Sequence, residues 1–195
     1  FHVTGVQTCA LPISRQPDRV RLLLRRVVSR QAMLVAQWMA VGFIHGVMNT
    51  DNMALSGQTI DFGPCAFMDG FDPHKVFSSI DRQGRYAYDS QPNVALWNLA
   101  RFAETLLPLL AATTEEAVAV AEEELDRFAT LYATAYLDGF RAKLGLASVA
   151  ADDASLVEDL LRWMHEATAD FTVFFHGLAA VLEGGSTRGL LDAAG

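Results

Sequence analysis

Lysine is nearly missing from this chain: Lys75 and Lys143 are the only two in 195 residues. Cysteine is as scarce, with Cys9 and Cys65 alone. Residues 3–13, VTGVQTCALPI, match one frame of a common sequencing-adapter read, so residues 1–14 are expected to be a non-native segment and are set aside from fold reasoning. That leaves Cys65, which excludes an intrachain disulfide and makes a reducing compartment the default. A lone cysteine is most often a small buried hydrophobe. Long apolar runs are absent too. Although 51% of the residues are hydrophobic, none of the runs approaches the ~18 residues that a membrane span requires. The expectation is a soluble protein with no membrane partner. No basic segment precedes the apolar N-terminal stretch, so no signal peptide is expected, and a bacterial source would place the protein in the cytoplasm.

Positive charge is also in deficit, with 15 Lys and Arg against 23 Asp and Glu, net −8. An acidic chain repels phosphate backbones, so nucleic acid is not an expected partner. The balance is uneven, however. Residues 15–52 hold six Arg against Asp18 and Asp51, net +4, while residues 53–195 hold nine basic and 21 acidic residues, net −12. The arginines from Arg15 to Arg30 fall at helical spacing, where a solvated face is the common explanation and a cationic wall beside nucleotide phosphates the alternative. The run Glu122-Glu123-Glu124 likewise reads as a solvated helix face.

Against these absences stands one dense motif. His45-Gly46-Val47-Met48-Asn49-Thr50-Asp51-Asn52 is followed nine residues later by Asp61-Phe62-Gly63. Protein kinases carry H-R-D-x-x-x-x-N and then D-F-G; the first Asp takes the proton from the substrate hydroxyl, while the Asn and the second Asp hold magnesium. His45, Asn52 and Asp61 fall in that order. The base position is Val47, which cannot accept a proton, and a carboxylate stands instead at Asp51. Asp51 could also merely cap the turn or orient Asn52, and His45 is expected to be structural.

The surrounding pattern is mostly helical. Pro17 and Asp18 open an amphipathic helix that ends near Gly42, with Val20, Leu23, Leu24, Val27, Val28, Met33, Leu34 and Trp38 repeating mostly at three- and four-residue steps. Met53–Leu55, a Ser56-Gly57 turn and Gln58–Ile60 read as a short β-hairpin carrying Asn52 and Asp61 at its ends. Residues 62–93 are rich in Gly, Pro and Asp and read as irregular. Helices are then expected from Asn93, from Glu115 to about Asp138 with Gly139 as a stop, and from Leu156 to about Leu182 with a break near His176-Gly177. The fold class is α+β, mostly α.

VGFIHGVMNTDNMALSGQTIDFGPCAFMD, continued by SSIDRQGRYAYDSQPNVALWNLAR, resembles the selenoprotein O family of kinase-like protein adenylyltransferases. The resemblance implies the C-lobe of a protein-kinase-like fold over residues 15–195, as a partial domain. It further implies transfer of AMP from ATP to Ser, Thr or Tyr hydroxyls of protein substrates. By position, Asp51 matches the family's proton acceptor; Asn52 and Asp61 match its Mg²⁺ ligands, with Mn²⁺ as the alternative metal, and Asp61 also touches ATP. The family's glycine-rich loop and nucleotide-binding Lys have no counterpart ahead of His45, and its C-terminal cysteine or selenocysteine is not found either. A fragment lacking the N-lobe and the C-terminus, inactive alone, is the expectation. A phosphotransferase and a non-catalytic nucleotide-binding pseudokinase scaffold are the competing readings. Arg82, Gly84, Arg85, Tyr86 and Tyr88 form a further patch that could bind phosphate or acidic side chains; ordinary packing, with Arg85 paired to Asp81 or Asp89, would explain it equally.

Overall fold

The computed structural model describes residues 17–184. The segment 1–14, set aside above, lies outside them. Five helices account for most of the described chain: α1 Pro17–Ala40, α2 Gln91–Leu110, α3 Thr114–Leu144, α4 Asp153–Glu166 and α5 Phe171–Leu182. A two-stranded antiparallel sheet joins β1 Phe43–Ile44 to β2 Ala66–Phe67.

α1 is the axis of the core. Val20, Leu24, Val27, Val28, Ala32, Val35 and Met39 recur at three- and four-residue steps and are all buried, so one continuous stripe meets α2 and α3. On α3 the stripe is aromatic: Phe128, Tyr132, Tyr136 and Phe140 follow at i, i+4 with centroids 6.1, 5.7 and 4.8 Å apart. Phe140 passes the stack on to Phe175 of α5, 6.0 Å away. Burial pushes the Tyr136 phenol up to about 12 and the Tyr132 phenol higher still.

Three expectations change. α3 does not stop at Gly139. A Cβ there would lie 3.2 Å from Ala40 Cβ, so the glycine serves a close helix crossing and the helix runs on to Gly145. That residue is left-handed at φ 67°, and its N–H and that of Leu146 reach back to Ala142 and Arg141 carbonyls. The last helical stretch breaks at 167–170 rather than at His176-Gly177. There Thr168 takes φ 50°, Asp170 bridges Gly70, and the Phe71 N–H donates to Ala169 O at 2.9 Å. Asp170 then caps α5 by accepting from Val173 N–H at 2.8 Å. The hairpin expected over 53–60 reduces to one antiparallel bridge, Met53 with Thr59, around a turn closed by Gly57 N–H on Ala54 O. The sheet forms instead between the segments flanking the whole loop.

The reading of the Glu122–Glu124 run as a solvated face holds for Glu122 and Glu123, which are exposed, and is corrected at Glu124. Glu124 has no exposed side-chain surface; it accepts from Arg21 Nε at 2.6 Å and from Arg25 Nε and Nη2 at 2.8 and 2.7 Å. Glu123 pairs with Arg21 as well. The basic face of α1 is therefore an inter-helix clamp at these two arginines. Arg25 first, and Arg21 after it, hold the Glu124 carboxyl down at about 2, against the opposing effect of burial.

Candidate functional site

Residues 45–65 form a loop closed at its base by the β1–β2 pairs, Phe43 with Phe67 and Ile44 with Ala66. Gly42 lets the chain leave α1: its φ is +67°, and a Cβ would sit 3.0 Å from the Phe171 ring. Gly46, at φ +80°, lies where a Cβ would meet Pro64 O at 3.0 Å. The two ends of the loop thus touch backbone to backbone, a contact only glycine permits.

His45 is fully buried and structural, as expected. Its backbone N–H donates to Gln91 Oε1 at 3.0 Å, and Gln91 Nε2 donates to Phe43 O at 3.0 Å. Its ring Nε2–H donates to Ile60 O at 2.8 Å, so the first residue of the loop holds the residue preceding Asp61. Trp38 and Phe43 pack on the imidazole with centroids at 5.4 and 6.3 Å. Trp38 Nε1 also donates to Thr59 Oγ1 at 2.9 Å.

Asp51 and Asn52 share one 3₁₀ turn, Thr50–Asn52, closed by Asn52 N–H on Asn49 O at 3.0 Å. Asn52 Nδ2 donates to Val47 O at 3.1 Å, which turns the amide nitrogen inward and leaves its oxygen as the uncommitted end. Asn49 accepts from the Tyr86 hydroxyl at 2.8 Å. Asp51 is exposed, and no side-chain cap closes the turn. Asp61 is exposed in the left-handed region at φ 56°, a conformation that costs a non-glycine residue on the order of 1 kcal/mol. Neither carboxylate has a hydrogen-bond or ion-pair partner among the described residues. Phe62 beside Asp61 is exposed, as is Phe67 on β2.

Among the described residues no cluster of three or more His, Cys, Asp or Glu could hold a metal ion. Asn52 and Asp61 offer two hard oxygens, which suits a cation completed by phosphate and water oxygens. Cys65 is half-buried, its thiol donating to Phe62 O at 3.3 Å.

In the second patch, Arg85 stacks over Trp97 at 4.9 Å and Tyr86 at 5.8 Å. Asp81 meets the Arg85 and Tyr86 backbone N–H groups at 3.0 and 2.8 Å rather than the guanidinium. Tyr88 is buried, its hydroxyl donating to Met39 O at 2.5 Å, and burial raises its pKa well above 10.

Gln91 and Asn98 were not singled out from the sequence. Asn98 Nδ2 donates to Met48 O at 2.9 Å, so α2 grips the loop at two points. The available signal was a pair of amides at i and i+7 on an otherwise apolar helix stripe.

Residues 7–188 match the family model described as Protein adenylyltransferase SelO. The chain is similar to the "Protein nucleotidyltransferase YdiU" of Alkaliphilus metalliredigens, 56% identical over 173 residues, covering 88% of this chain and 35% of the relative. The proteins of the same name from Halalkalibacterium halodurans and Brevibacillus brevis are each 57% identical, over 161 and 166 residues. These cover 83% and 85% of this chain and 33% and 34% of the relatives. The chain spans about a third of the length of the curated relatives it matches.

Proposed function

We propose, from the premise that this chain belongs to the protein adenylyltransferase SelO family, that it forms the catalytic-loop part of an enzyme moving AMP from ATP to Ser, Thr or Tyr hydroxyls of proteins. The helical frame around the loop is read as the C-lobe of a kinase-like fold over residues 15–195. One observation carries the reading. On a loop whose His45, Asn49 and Asn52 all spend hydrogen bonds on holding its shape, the two carboxylates, Asp51 and Asp61, are left uncommitted. Idle carboxylates on a braced loop are suited to chemistry.

In this reading Asp51 accepts the proton of the attacking hydroxyl. The hydroxyl oxygen forms a bond to the α-phosphorus, the bond from that phosphorus to the bridging oxygen breaks, and diphosphate leaves. Asn52 Oδ1 and Asp61 would hold Mg²⁺ or Mn²⁺, and Asp61 also lies against ATP. A divalent cation there supplies neutralisation of the charge on the phosphate oxygens. His45 positions the residue before Asp61 and touches no substrate. No described helix is long and apolar enough to cross a membrane.

The test uses this chain within its longer protein, incubated with ATP labelled at the α or the γ phosphate. Label from the α position is expected on protein. Asp61→Ala is expected to abolish transfer and Asp51→Ala to slow it by ~10²-fold or more. Label from γ alone overturns the reading in favour of a phosphotransferase, to which Val47 at the base position is unfavourable. Nucleotide binding with neither label would indicate a pseudokinase scaffold.

A further inference from the structure

In the acidic part of this chain one guanidinium beside the loop has no acid. Residues 53–195 hold 21 acidic residues against nine basic ones, and Arg101, Arg127, Arg141 and Arg162 each pair with a carboxylate. Arg85 is exposed and has no ion pair or hydrogen bond from its guanidinium among the described residues. The acids four residues away on either side are spent elsewhere. Asp81 accepts from the backbone N–H groups of Arg85 and Tyr86, and Asp89 meets the His74 ring at 2.8 Å. What the Arg85 guanidinium does meet is two rings, Trp97 at 4.9 Å and Tyr86 at 5.8 Å. Ring contact holds a guanidinium by its faces and leaves its N–H edge, a fork that fits a carboxylate.

This group is tied to the turn that carries Asp51. The Tyr86 hydroxyl donates to Asn49 Oδ1 at 2.8 Å, and Asn49 O closes that turn by accepting from Asn52 N–H. A second cation joins on the same ring: the Arg101 guanidinium lies 5.2 Å from Trp97, and Arg101 lines one cavity with Thr50 and Met53. Glu104 pairs with Arg101 at 2.7 Å, so Arg85 is the uncommitted one of the two. We propose that Arg85, held by Trp97 and Tyr86, binds a carboxylate of the protein substrate, an Asp or Glu close in sequence to the hydroxyl that is modified. The proposal rests on the reading of the loop given above and names the kind of segment the loop receives. A cation set in an otherwise acidic surface draws an acidic segment to one place and leaves the rest of the surface repelling it, which fixes the register of the segment on the loop.

The test uses this chain within its longer protein and two fluorescein-labelled peptides, one with glutamates on both sides of a single serine and one with glutamines in their place. Fluorescence anisotropy without ATP reads their binding. The glutamate peptide is expected to bind about tenfold more tightly or better, the worth of a charge-assisted hydrogen bond, and added salt should narrow the difference. Arg85→Gln should bring the two peptides to equal affinity with helical circular dichroism intact. Arg162→Gln, an equal change of charge at an exposed position of α4, should leave the preference as it was. Equal binding of the two peptides by wild type, or no saturable binding of the glutamate peptide, overturns the proposal. So does a preference that survives Arg85→Gln or is lost as fully in Arg162→Gln. Displacement of the glutamate peptide by ATP with Mg²⁺ overturns it too, because the cations would then serve the nucleotide. Binding is measured without transfer, so label arriving from the γ phosphate would sink the adenylyltransferase reading and leave this result standing.

Discussion

Replacing Glu124 by Gln tests whether one buried carboxylate locks the basic first helix to the acidic remainder of the chain. Glu124 is wholly buried, whereas Arg21 and Arg25 are 31% and 40% exposed. Its pKa falls from 4.5 to about 2, which at about 1.4 kcal/mol per pH unit corresponds to about 3 kcal/mol. The partly exposed guanidiniums are screened by water, so about half of that, roughly 1.5–2 kcal/mol, is the expected contribution to stability. A depressed folded-state pKa makes this contribution complete above pH 4.5, and it is lost as pH falls from there toward 2. Urea unfolding followed by circular dichroism, on wild type and Glu124→Gln at pH 7, 5, 4 and 3, measures it. The variant should be less stable by about 1.5–2 kcal/mol at pH 7, with the gap falling to less than half by pH 3. Pairing Glu124→Gln with Arg25→Met in a double-mutant cycle should show most of the coupling between those two residues. A gap that is absent at pH 7, or constant from pH 7 to 3, would refute the assignment.

Two further substitutions probe how the helices hold the loop. Gln91→Leu removes the acceptor of the His45 N–H and the donor to Phe43 O, and two buried groups left unpaired cost about 2–5 kcal/mol; denaturant unfolding should show this, with hydrogen exchange at His45 rising in step. Gly139→Val adds bulk where a Cβ would already lie 3.2 Å from Ala40, so a loss of about 1–3 kcal/mol is expected from overpacking. Gly139→Ala should stay within about 1 kcal/mol of wild type, because the gain in helix propensity offsets the closer contact.

Much of the candidate site's local geometry was legible because its signals are local. His45, Asp51, Asn52 and Asp61 lie within 17 residues, and the bond from His45 to Ile60 and the turn carrying Asp51 form within that span. The loop's anchors were less legible. Gln91 and Asn98 act across 46 to 50 residues, and only their place on an apolar helix stripe hinted at a buried role.

The sequence by itself determined the helices, through apolar residues at three- and four-residue steps, and the order of His45, Asp51, Asn52 and Asp61 along one loop, through their spacing. The opposite net charges of residues 15–52 and 53–195 were also there to be counted. Only the tertiary structure decided that Arg21 and Arg25 meet Glu124, some 100 residues away, that Gly139 lies inside a helix, and that residues 167–170 break one to reach Gly70. Each of these depends on which surfaces come into contact. Periodicity within a helix fixes its buried face, but which neighbour lies against that face follows from packing all the helices at once.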